Sequence, residues 1–389
     1  MYKREILCVF IALAITFSGF SDEIKVTGTA PTFTTDVDNL KPHIENFNNK
    51  LGETFDKMVG GIQDEIDGIM PPGFGTDDLL KGFGTSSVFA SHGATMWAYA
   101  DYRFMSISIG SMLGLKFPDN STKIFLNGLS GGEVDFSGID NLTFGINPQF
   151  FSLHVGFNPS VLTNVFPKNL FLGLRLGFFG LPKLPIKIEG ADANLNFNTF
   201  TIGLTANYQL IPSINLANVI KWRGVNVGSG FIFQTTKLDF TVPLGEQREP
   251  MNFAEGKLTA NLELVLNPIA ALNMNINTFT IPVEISTAIN LVFLNIPFGL
   301  GFDIGFGKTD LSIGMNSDVN ITSDNNSISQ NKKGSVSVSL TNDHAPTAFN
   351  FKIMTGLGFT FGDNFVIDIP MIFYLIDGYS LGFTMGVRF

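Results

Sequence analysis

The chain has 389 residues, a net charge of −10 and only 15% charged residues, yet it carries 40 phenylalanines. That is about twice the Phe of an ordinary globular chain, whose charged share is about 25%, so the surplus apolar surface needs a large dry core or lipid. An acidic balance without a basic cluster argues against nucleic acid and against docking on an anionic membrane surface, and one cysteine allows no disulfide framework.

Lys3 and Arg4 stand before the apolar run Ile6 to Phe17, with small residues at Gly19 and Ser21. This is a signal-peptide pattern, residues 1–21, too short to cross a bilayer of ~30 Å. Cys8 lies inside it, so the exported chain has no thiolate; no cofactor and no metal is expected.

From Val37 to Met70, Val37, Leu40, Ile44, Phe47, Leu51, Phe55, Met58, Ile62 and Ile66 recur at helical spacing. The spacing predicts one amphipathic helix, or two with a break at Gly60-Gly61, stopped by Pro71-Pro72-Gly73. Residues 22–85 thus read as an N-terminal helical segment, packing its stripe on the rest of the protein, plugging a lumen, or standing in the periplasm.

From about Ser86 the period becomes two. Leu170, Leu172, Leu174, Leu176 and Phe178 share one face, and Phe298, Leu300, Phe302, Ile304 and Phe306 another, against Gly, Thr, Asn and single charges. The segments reach the ~9–11 residues of a tilted membrane strand, and no stretch after the leader has the ~18 uninterrupted apolar residues of a spanning helix. The fold class is all-β: a transmembrane antiparallel β-barrel of about fourteen strands (12–16) over residues 86–389. Gly307-Lys308 reads as a turn. The polar stretch Ser317–Gly334 reads as a mobile loop; counting strands back from the C-terminus puts it on the periplasmic side, which points to a miscounted strand, since long loops usually lie outside. Trp97, Tyr99, Tyr102, Tyr208, Trp222, Tyr374 and Tyr379, near segment ends, suggest interfacial girdles.

Charges on the polar faces are candidates for the lumen: Arg175, Lys237, Asp239, Glu263, Glu284, Asp303, Lys352, Asp368 and Arg388, pairing with one another or selecting solutes. His154 shares a strand face with Ser152, the arrangement of a nucleophile and its base, but no motif supports catalysis and the chain is not expected to be an enzyme. Asp318, Asn320, Thr322 and Asp324 could offer oxygens to Ca²⁺, without the Gly and distal Glu of an EF-type loop.

The last eleven residues alternate without an error: Tyr379, Leu381, Phe383, Met385, Val387 and Phe389 on one face, Ser380, Gly382, Thr384, Gly386 and Arg388 on the other. This strand resembles the C-terminal β-signal of Gram-negative outer-membrane barrels. The resemblance implies location in the cell outer membrane, recognition by the barrel-assembly machinery and closure of the sheet by this strand. The layout is also loosely similar to the FadL family of hydrophobic-compound transporters, in strand number and in an N-terminal helical plug. That family's Asn-Pro-Ala motif is absent, and Gly84–Ala94 occupies its place. The function expected is passive uptake of small, hydrophobic solutes, with outer-membrane lipids as surroundings. The alternative is a surface-exposed adhesin or structural barrel without transport.

Overall fold

A computed structural model describes residues 25–69, 76–93, 104–118, 143–188, 191–217, 219–255, 258–323, 329–362, 364–375 and 378–389. The signal peptide and Trp97, Tyr99 and Tyr102 lie outside the described residues.

Two short strands, β1 (Lys25–Thr29) and β2 (Thr32–Thr34), precede helices α1 (Lys41–Ile69) and α2 (Thr76–Ala90). Strands follow: β3 (Met105–Lys116), β4 (Gly145–Phe157), β5 (Leu170–Ile188), β6 (Ala191–Ile211), β7 (Ile214–Ala217), β8 (Ile220–Pro243), β9 (Gln247–Glu255), β10 (Leu258–Leu291), β11 (Leu294–Ser323), β12 (Ser329–Lys332), β13 (Gly334–His344), β14 (Phe349–Phe361), β15 (Phe365–Tyr374) and β16 (Gly378–Arg388). The alternating period was expected from Ser86, but Ser86–Ala90 are helical, and the first ring strand described begins at Met105.

Among the described residues fourteen strands form one antiparallel sheet, matching the count of about fourteen expected, although one of them, β1, precedes residue 86. Ten of them close as an up-and-down ring, β3-β4-β5-β6-β8-β10-β11-β14-β15-β16 and back to β3. The closing pair runs from Gly378 opposite Lys116 to Arg388 opposite Ser106, and Phe104 N–H donates to the Phe389 carbonyl at 2.8 Å. The alternation of β16 thus ends on a seam that leaves the ring without a free edge.

The ring is inside out. On β14, Phe349, Phe351 and Leu357 are exposed while Asn350 and Lys352 are buried; on β16, Leu381, Phe383 and Met385 are exposed while Ser380 and Thr384 are buried. A soluble barrel would bury the first set. A barrel in lipid exposes it, so this is a transmembrane β-barrel.

On one side of the ring the wall is much taller. β10 spans 34 residues against 11 for β16, about three times the ~9–11 residues a membrane strand needs. Cross-strand rows locate where lipid ends. Ile202, Phe233, Phe279 and Phe306 lie side by side on the outward face, and the Phe279 and Phe306 rings stack with centroids 5.4 Å apart. Two rows further along, the same face carries Asn198, Lys237, Asn275 and Asp310. The inward face changes in the opposite sense, from Thr201, Gln234 and Thr278 to Phe197, Leu238, Met274 and Leu311. Below the boundary the apolar side faces lipid; above it water is outside, and the apolar side turns inward. The expected turn at Gly307-Lys308 is absent: β11 runs through this level. Gly307 has φ 142°, and a Cβ there would lie 2.0 Å from the Asn277 carbonyl oxygen, so the crossing is open only to glycine.

Above the boundary the wall carries a small layer of its own. β1 pairs with β13, from Lys25 opposite Ser339 to Thr29 opposite Ser335. Of the predicted stripe, Ile44, Phe47 and Leu51 are buried with Phe33 against Ile321, and Phe55 against Val319 and Val336, while Val37 is exposed; the side chains of Met58, Ile62 and Ile66 lie outside the described residues. The polar Ser317–Gly334 stretch, expected as a mobile loop, is largely strand among the described residues, since β11 runs through Ser317–Ser323 and β12 covers Ser329–Lys332. It lies at the end of the wall opposite the Phe389 rim, so the strand count back from the C-terminus was off.

Candidate functional site

α2 lies inside the ring. Its residues touch strands on opposite sides of the barrel: Leu80 packs among Met274, Ile276 and Leu311, Ser87 hydrogen-bonds Thr278 at 2.8 Å, and Ser380 donates to the Phe89 carbonyl at 2.9 Å. Leu80, Thr85, Ser86, Ser87, Val88, Phe89 and Ala90 are all fully buried. The seat depends on small residues. A Cβ on Gly145 would sit 2.0 Å from the Gly82 carbonyl oxygen, and one on Gly114 would sit 2.2 Å from that of Ser86. The backbone of α2 therefore lies directly on β3 and β4.

Where α2 ends, a buried polar cluster takes over. Glu284, Gly301, Lys352 and Tyr374 form one row across β10, β11, β14 and β15. Gly301 has no side chain, so Lys352 reaches across it to Glu284 at 2.5 Å and to Asp303 at 2.6 Å. His92, just past α2, places Nε2 2.8 Å from Asp303 Oδ2 and Nδ1 3.7 Å from Glu284 Oε1. Tyr374 donates to Asp303 Oδ2 at 3.0 Å and stacks on Phe89 at 3.6 Å between centroids. Opposite, Arg175 donates to the Ser91 carbonyl. The ring thus grips the end of the plug by charge and by stacking.

His92, Glu284 and Asp303 hold ligand atoms within 4.8 Å of one another, a spacing that could suit a metal ion. The Lys352 ammonium already sits among them as the counter-charge. A metal would have to displace a buried lysine from two carboxylates, so the donor set fits an ion pair better than a metal.

Of the predicted lumen charges, Arg175, Asp303, Lys352 and Asp368 are buried on the inward side, with Glu284 in the cluster. Three are not in the lumen. Lys237 and Asp239 share the outward face of β8 with Phe231 and Phe233, above the lipid boundary. They line a polar surface groove of about 540 Å³ with Asn275, Lys308, Asp310 and Asp343. Glu263 lies further out and binds Arg248 at 2.9 Å. Polar-face logic misplaced them because the face that meets lipid lower down meets water there. Tyr374, expected in a girdle, points into the lumen instead. Trp222 is half-buried and donates to Thr287 at 2.8 Å. Ser152 and His154 do not pair with each other: Ser152 donates to Gly93 O at 3.4 Å and His154 contacts Thr205 at 3.3 Å. Asp318, Asn320 and Thr322 lie on a straight strand paired with β10, and Asp324 is outside the described residues.

A family model described as Lsa36-like matches residues 23–389. Among curated proteins no relative matches. Similar solved structures include the translocator domain of the autotransporter NalP from Neisseria meningitidis, at 9% identity and TM-score 0.27, covering 74% of this chain and 89% of that one. The toluene transporter TbuX of Ralstonia pickettii shows 10% identity and TM-score 0.22, with coverage of 80% and 99%. A FadL homologue from Pseudomonas aeruginosa shows 10% identity and TM-score 0.22, with coverage of 82% and 98%. The strand registers, rather than these likenesses, establish the fold.

Proposed function

The chain belongs to the Lsa36-like family, and on that footing we propose that it is an outer-membrane barrel held shut by its own helix, working as an anchor that presents a surface. The seat of α2 carries this reading. A helix with Leu80, Val88 and Phe89 fully buried and with Asp303 and Lys352 gripping its end fills the space a solute would need. The surface available to a partner is then the tall wall with its long loops. Export through the 1–21 signal peptide and recognition of the Phe389 strand by the assembly machinery belong to the same reading. Chemistry does not, because Ser152 and His154 bond separate partners.

Passive uptake of small hydrophobic solutes is the second reading. Gly82, Gly84, Ser86 and Ser87 of α2 favour it, since they carry little side chain to hold the helix against a shift. Planar-bilayer recording on refolded protein separates the two. The closed barrel gives no steady conductance, and a variant lacking residues 76–93 opens stable channels. Steps or solute flux through the unaltered protein would reject the closed barrel and favour uptake.

A further inference from the structure

The course of the chain through the ring has a topological consequence. At the Phe389 rim the connections run from two to twelve residues, Val292-Phe293 between β10 and β11, 362–364 between β14 and β15, 212–219 with β7 between β6 and β8, and 158–169 between β4 and β5. The other rim carries the longest ones, 117–144 between β3 and β4 and 324–348, with β12 and β13, from β11 to β14, beside the short 189–190 between β5 and β6. Barrels of this kind keep short turns inside and long loops outside. The tall wall, with its polar outward face above the Phe233–Phe279–Phe306 row, projects from the outer rim. β1 and α1 are fastened to that wall by pairing with β13 and by burial of Phe47 and Phe55.

From there the chain runs down the lumen. Leu80 lies level with Met274 and Leu311, Phe89 with Tyr374, His92 with Asp303, and Gly93 beside Gln149 and Ser152. The next described residue, Phe104, bonds Phe389 at the inner rim. The N-terminal segment therefore lies outside, the first ring strand starts inside, and α2, which stands between them in the chain, lies within the closed ring.

We infer that the barrel is the passage for its own N-terminal segment: residues 25–69 cross the outer membrane through the lumen, and α2 stays behind as the stopper. A chain delivered from the periplasm reaches this threading when its N-terminal segment passes through the ring. A helix with its side chains is about 10–12 Å across, and one helix already fills the lumen, so α1 and its paired strands cross unfolded. The segment suits this. It contains no cysteine that could lock it beforehand, and Gly52, Gly60 and Gly61 weaken α1 as an isolated helix. Its apolar stripe is buried by Ile321, Val319 and Val336, residues available only on the outer wall. Burial on arrival makes the crossing one-way.

The inference rests on the outer-membrane placement proposed above, and its test separates the two. Single cysteines replace Glu53 on α1, Lys332 on the outer wall and Val165 on the inner rim, in a Cys8→Ser background. An impermeant maleimide on intact cells should label Glu53→Cys and Lys332→Cys at least tenfold more than Val165→Cys. Labelling of Val165→Cys alone would overturn the placement; labelling of Lys332→Cys without Glu53→Cys would overturn the threading only. A small disulfide-bonded domain is then fused ahead of Lys25, beside the same fusion with its cysteines changed to serine. Passage through the lumen predicts that Glu53→Cys labelling survives with the serine version and falls at least tenfold with the disulfide version. Equal labelling of the two fusions, whether high or absent, would overturn the inference.

Discussion

Lys352 is the residue on which the plug's seat turns. It is a fully buried cation shared by Asp303 and Glu284, with His92 of the plug bonded to the same Asp303. Removing one partner of a buried pair leaves uncompensated charge and typically costs 3–5 kcal/mol. Lys352→Met should therefore lower the barrel's unfolding temperature in detergent by many degrees, read as loss of the gel-mobility shift between folded and boiled protein. Adding Asp303→Asn and Glu284→Gln should recover most of it, and failure to recover would mean that Lys352 matters for packing alone. The sequence made Lys352 and Asp303 legible as inward charges, because Phe351 and Phe302 alternate with them. It could not bring them together, since that depends on Gly301 leaving a gap between two strands far apart in the chain. Tyr374 was misassigned for the same reason: an aromatic near a strand end looks alike whether it faces lipid or Phe89.

The helices differ in how far they could be read. α1 has one wet side, so its stripe of Ile44, Phe47, Leu51 and Phe55 shows helical spacing in the sequence. α2 is buried at every residue from Gly84 to Ala90 and has no wet face there to mark its period. Its Gly82, Gly84, Ser86 and Ser87 reflect close approach to the wall, and with Val88 and Phe89 following they resemble the start of a strand. The long strands carry the lipid boundary, and that can be tested directly. Leu300→Arg, on the outward face below the Phe306 row, should cost ~2–4 kcal/mol of folding free energy in lipid vesicles, while Asn275→Arg, two rows above it, should cost about 0–1 kcal/mol. Equal penalties at both positions would place the boundary elsewhere.

Taken whole, the molecule is a ring, a stopper and a wall, and the stopper joins the other two. Ser87 and Thr278 bring their side-chain oxygens to 2.8 Å across the lumen. Ser87→Cys with Thr278→Cys should bridge in the oxidising periplasm and raise the unfolding temperature by several degrees, corresponding to ~2–4 kcal/mol, reversibly on reduction. An absence of bridging on a non-reducing gel would show that α2 does not rest against β10. The all-β ring and the closing strand at Phe389 were legible because every ring strand obeys one alternation. The tall wall was not, because the alternation continues unbroken while the solvent around it changes.

The uninterrupted ladder between β10 and β11, paired from Leu291–Leu294 to Leu262–Ser323, has a mechanical meaning. A tug on the outer layer along the wall loads its rungs in shear, many at once, instead of peeling them singly. The wall is therefore a stiff mast footed in the ring, and force applied at its tip is passed into the bilayer-embedded base before the hairpin parts.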